Sequence, residues 1–144
     1  TQEVSLGIGY WIDANQANAT QRCVVAGDVA NSAHVTNWTI RGLQMFTYPF
    51  AAEVAASNLT FQNAVAASKA GSADHLFFWD VNAQGYREYY YKSSANATLN
   101  RKWVSLVGDV PASNVVAVGE GFWYQSVQTA GTTNSWVQAR PYSF

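Results

Sequence analysis

The sequence predicts a mainly β fold, an antiparallel β-sandwich or barrel-like arrangement with one short helix at about 58–70. Three observations carry that expectation. Short runs alternate apolar with polar or small residues, Gly, Asn, Asp and Pro break them at close intervals, and only one segment has helical spacing. The chain of 144 residues is long enough to close one hydrophobic core without staples, so residues 1–144 read as a single β-rich domain.

The elements follow in order. Residues 4–12 alternate apolar with small residues and give way to the polar stretch 13–21, so 1–13 reads as an edge strand or one exchanged with a neighbour. Residues 22–26 form a short β-branched run that ends at Gly27-Asp28. Residues 34–40 alternate again, with Val35 on one face and Thr36, Trp38 and Ile40 on the other. Arg41-Gly42 separates them from a strand at 43–48 that Pro49 closes. In 57–71, Ser57 or Asn58 can cap a helix, Leu59, Phe61, Val65 and Ala66 recur at helical spacing, and Gly71 can stop it. The aromatic runs 75–80 and 86–91 flank Asn82-Ala83-Gln84-Gly85 and predict a β-hairpin. Strands at 102–107, 114–118, 121–127 and 135–139 complete the set.

Composition narrows the function. Only 12% of residues are charged and the net charge is −1, so no basic surplus exists to neutralise a nucleic-acid backbone. No apolar run reaches the length of a membrane span. One cysteine, Cys23, excludes an internal disulfide and a thiolate metal cage, and its apolar run marks it as a small buried hydrophobe. The opening Thr1-Gln2-Glu3, without a start methionine, predicts a processed or trimmed chain. Abundant Ser, Thr, Asn and Gln with few Lys and Glu point to an extracellular or cell-surface location. Four Asn-x-Ser/Thr sequons occur, at Asn18, Asn37, Asn58 and Asn96. This composition yields about two by chance, so they read first as polar loop residues and second as glycan acceptors.

No catalytic, cofactor or metal site is expected. His34 and His75 are the only imidazoles, and Asp74 beside His75 points to the opposite strand face. Neither a zinc-binding helix motif nor a nucleophile elbow occurs. The carboxylates are scattered singly among turns, with Asp28 and Asp109 following glycines. Gly7-x-Gly9 and Gly119-x-Gly121 lack the third glycine and the strand-to-helix setting of a dinucleotide site.

The aromatic surplus remains. Aromatics make up 15% of the chain, with 6 Trp, 8 Tyr and 7 Phe. Phe77 and Trp79 share one strand face and Phe78 the other, while Tyr89 and Tyr91 oppose Tyr90. A sheet with one wet face has room for only one of these parities in its core. The candidate interface or ligand aromatics are Tyr10, Trp11, Tyr86, Tyr89, Tyr90, Tyr91, Trp123 and Tyr124.

The order Gly9-Tyr10-Trp11, then 42–50 with Met45 and Pro49-Phe50, then Trp79-Asp80, Gly85-Tyr86 and Gly119-Glu120-Gly121-Phe122-Trp123-Tyr124 resembles a loosely defined class of uncharacterised bacterial secreted or surface modules. Gln44 stands where that pattern has Asn, and Val118 where it has Pro. The resemblance implies an extracellular β-rich module and carries over no catalytic residue. With low charge and many rings, the function expected is a non-enzymatic structural protein that associates with itself as a filament, sheath or surface array. The alternative is a carbohydrate-binding module that uses aromatic platforms on a polysaccharide.

Overall fold

The computed structural model describes residues 31–39 and 41–143. The expectations placed on 1–13, on the strand at 22–26, and on Tyr10, Trp11, Asn18 and Cys23 lie outside the described residues.

The described fold is mainly β and antiparallel, with ten strands. They are β1 (His34–Trp38), β2 (Gly42–Thr47), β3 (Val54–Ala55), β4 (Phe61–Gln62), β5 (His75–Asp80), β6 (Gly85–Lys92), β7 (Lys102–Ser105), β8 (Val115–Val116), β9 (Gly121–Ser126) and β10 (Asn134–Gln138). Five strands form one sheet in the order β2-β9-β5-β6-β7, and three form a second in the order β1-β10-β4. The small pair β3-β8 stands apart. The larger sheet stays open, so the arrangement is sandwich-like and not a closed barrel.

Alternation sets which rings meet between the sheets. Trp38, Phe61 and Trp136 of the smaller sheet pack on Phe46, Phe122, Tyr124 and Trp103 of the larger, largely edge-to-face. Trp136, Tyr124, Phe46 and Phe122 are fully buried. Asp74 is buried with them and accepts hydrogen bonds from the Val65 N–H (2.9 Å), the Val127 N–H (2.8 Å) and the Tyr124 hydroxyl. Burial, and after it the Asp74 charge, pushes the Tyr124 hydroxyl far up from its ordinary range.

The helix expected over 58–70 is not there, and this part of the prediction is corrected. Two 3-10 turns, Ala56–Asn58 and Ala70–Ser72, bracket β4 and an extended stretch. Tertiary partners take the backbone groups a helix would use. Phe61 pairs with Trp136, Asn63 turns the chain with a φ of 64°, and Asp74 takes the Val65 N–H. Ala67 then bonds both ways, from its N–H to the Tyr91 carbonyl (3.1 Å) and from its carbonyl to the Ser93 N–H (2.9 Å). Ala67 thus bridges to Lys92 alongside β6.

The hairpin forms as expected. Asp80 anchors its turn, accepting from the N–H groups of Asn82 (2.9 Å) and Ala83 (3.2 Å) and pairing with Arg87. The Ala83 amide first, then Arg87 and the Asn82 amide, hold the Asp80 carboxyl below its ordinary range.

Candidate functional site

Register carries one set of side chains across the outer face of the five-stranded sheet. Met45 stands beside Trp123, Trp123 beside Phe77, and Phe77 beside Glu88. A flanking row runs Leu43, Gln125, His75, Tyr90, Val104, and Trp79 faces Tyr86 at the hairpin end. Opposite parity sends Phe46, Phe122, Tyr124, Leu76 and Phe78 inward, where all are buried.

This outer face divides in two. Over β6 and β7 it is roofed: Ala73 is buried with Tyr90 and Val104, and Ala67, Ala70 and Leu99 pack on them. Polar clamps fix the roof. His75 Nε2 donates to the Ala70 carbonyl (2.8 Å), and Nδ1 lies 2.6 Å from Glu88 Oε1. Lys92 Nζ donates to the Ser68 carbonyl (2.9 Å) and the Tyr90 hydroxyl (2.8 Å), and lies 3.0 Å from Asp109. The Tyr90 hydroxyl also donates to Asp109, and these two contacts, Tyr90 first, hold the Asp109 carboxyl below its ordinary range. The bond from Lys92 to the Tyr90 hydroxyl first, and its contact with Asp109 after it, raise the Lys92 ammonium.

Toward β2 and the hairpin end, the roof stops. Leu43 is 56% exposed, Trp79 48% and Tyr86 47%, with Met45, Phe77 and Trp123 half-buried among them. The patch is fixed by its own contacts. Trp123 Nε1 donates to the Tyr86 hydroxyl at 3.3 Å, Phe77 meets Tyr86 at 88°, and Trp79 meets Tyr86 at 73°. The rings stand edge-to-face and form a ridged apolar surface.

Of the aromatics singled out from the sequence, Tyr86 and Trp123 lie on this patch. Three others are corrected: Tyr89 (9% exposed), Tyr90 (4%) and Tyr124 (0%) are interior. Tyr89 and Tyr124 face the sandwich core, and Tyr90 lies under the roof. Tyr91 is half-buried against Trp103 with its rings 4.9 Å apart. Leu43, Met45, Phe77 and Trp79 belong to the patch but were not singled out. The hairpin register, in which the turn fixes Trp79 opposite Tyr86, carries the signal that finds two of them.

Asn37, Asn58 and Asn96 are exposed. Asn96 Oδ1 accepts from the Thr98 N–H (3.0 Å) and hydroxyl (2.8 Å), closing an Asx turn over its own sequon. His75 has both ring nitrogens occupied by the clamp, leaving none to serve a nucleophile. Asp74 lies on the core side, away from it. Among the described residues, no three His, Cys, Asp or Glu side chains gather as a metal would need, and no helix is long and apolar enough to cross a membrane. No protein family, curated protein or solved structure matches the chain.

Proposed function

We propose that the chain is a non-enzymatic, extracellular structural subunit that associates with copies of itself. The observation that carries this reading is the bare half of the outer sheet face, where Leu43, Met45, Phe77, Trp79, Tyr86 and Trp123 form one apolar surface across four strands. Contiguous apolar surface of this kind on a folded domain marks an interaction site. A net charge of −1 offers little repulsion between like copies. The low charge and the richness in Ser, Thr and Asn support the extracellular location.

A second reading, polysaccharide binding, draws on the same exposed Trp79 and Tyr86. Their 73° angle favours the first, because a sugar stacks on ring faces presented in a row, whereas a protein surface interlocks with ridges. Mass photometry and negative-stain microscopy over a concentration series test the proposal. Discrete or extended oligomers are expected, with Trp79→Ser/Tyr86→Ser weakening association by at least about tenfold. A particle that stays monomeric at every concentration overturns self-association. Retention on a polysaccharide, lost in the same double variant, establishes the second reading instead.

A further inference from the structure

We infer that the open side of the sandwich at β4 accepts residues 4–12 of a second copy as an added strand, an inference that rests on the self-association proposed above. Among the described residues the two sheets are unequal: three strands lie against five, and β4 is only two residues long. β4 pairs with β10 through Gln62↔Ser135 and Phe61↔Trp136, and the Val137 N–H donates to the Thr60 carbonyl at 3.1 Å. That pattern turns the backbone groups of Thr60 and Gln62 toward β10 and those of Phe61 toward the opposite edge. Beside β4 lies a groove of about 560 Å³, lined by Leu59, Phe61, Tyr91 and Trp103 together with the cationic Arg101 and Lys102.

The neighbouring edge is shut. Ser105 donates its N–H to the Val110 carbonyl and Ala112 donates to the Trp103 carbonyl, each at 2.8 Å, so residues 110–112 cap β7. Among the described residues, no strand pairs with the outer edge of β4, and an apolar groove accompanies it. This pairing of edge and pocket is the arrangement that strand addition uses.

The occupant is identified by its pattern. Residues 4–12 place Val4, Leu6, Ile8, Tyr10 and Ile12 on one parity, and Ser5, Gly7 and Gly9 on the other with Trp11. The segment carries no charge, but Glu3 and Asp13 flank it, opposite in sign to the Arg101 and Lys102 of the groove lining. The linking chain points to a neighbour's groove. Ala33 already lines the groove, so a return within one chain needs only a short turn of about 2–6 residues. Residues 13–30 intervene instead, and their polar first half, 13–21, alone reaches about 30 Å when extended.

The test uses the full chain carrying Leu6→Asp/Ile8→Asp and a fluorescent peptide of residues 1–14. Wild type is expected to associate and the double variant to stay folded and monomeric at the same concentration. The peptide should bind the double variant and slow amide exchange at Phe61. Arg101→Glu/Lys102→Glu should weaken that binding by about tenfold, and Trp79→Ser/Tyr86→Ser should leave it unchanged. A double variant that still associates and ignores the peptide overturns strand addition while self-association stands. Wild type that is monomeric throughout removes the parent reading as well. A double variant that unfolds shows the segment serving its own chain, which also overturns the inference.

Discussion

The two faces of the five-stranded sheet are built from the same strands and are both rich in aromatic residues, yet one is sealed and the other half bare. Inward, Phe46, Phe122 and Tyr124 meet Phe61 and Trp136 of the facing sheet, Phe78 packs on Phe122, and all four lose essentially all contact with water. Outward, Tyr90 and Val104 gain a roof of small residues held by His75 and Lys92, while Trp79 and Tyr86 gain none. Ring content therefore does not decide burial in this protein. The presence of a second layer does, and the second layer on the outer side covers only the β6–β7 half.

Substitutions on the two faces should separate sharply. Phe122→Ala or Trp136→Ala leaves a cavity in the inner layer and should cost about 3–5 kcal/mol in urea unfolding. A loss under about 1 kcal/mol would show that the inner face is not the stabilising one. Asp74→Ala comes next. It leaves the Val65 and Val127 N–H groups and the Tyr124 hydroxyl without their shared acceptor, and should destabilise by about 3 kcal/mol. Full stability in that variant would show that the three donors find other partners.

On the bare half, Trp79→Ser/Tyr86→Ser should change unfolding free energy by only about 0.5–1 kcal/mol while weakening association. A stability loss matching that of Phe122→Ala would show that these rings belong to the monomer's own core. The smallest effect concerns acid. Asp80 and Asp109 sit below their ordinary value of 3.8 when folded. The unfolded chain therefore binds more protons through that range, and their contribution is present above about pH 4 and lost as pH falls through the folded values. Urea midpoints should drop as pH falls below about 4. Asp80→Asn/Asp109→Asn should flatten the drop, and an unchanged drop would assign it to other carboxylates.

The hairpin shows what was legible. Residues 75–80 and 86–91 with a polar turn between them mark the strand His75–Asp80 to the residue, because aromatic content and turn chemistry agree there. The segment at 57–71 shows the opposite. Leu59, Phe61, Val65 and Ala66 have helical spacing, but Trp136 and Asp74 supply partners that local propensity does not register. The site was half legible for the same reason. Tyr86 and Trp123 were named, while Tyr89, Tyr90 and Tyr124 were named with them although they are interior. Parity separates neighbours on a strand but does not say which parity a second layer will cover.

The sequence alone determined the β class, the positions of β1, β2 and β5 to β10, and the excess of rings on both parities, because these depend on periods of two and on turn residues within a few positions. Only the tertiary structure decided that the smaller sheet lies on the Phe46–Phe122 face, that an alanine-rich strap roofs Tyr90, and that the Trp79–Tyr86 surface and the β4 groove stay open. Those outcomes depend on contacts between residues far apart in the chain, such as Phe61 with Trp136 and Asp74 with Val127, which no local pattern encodes.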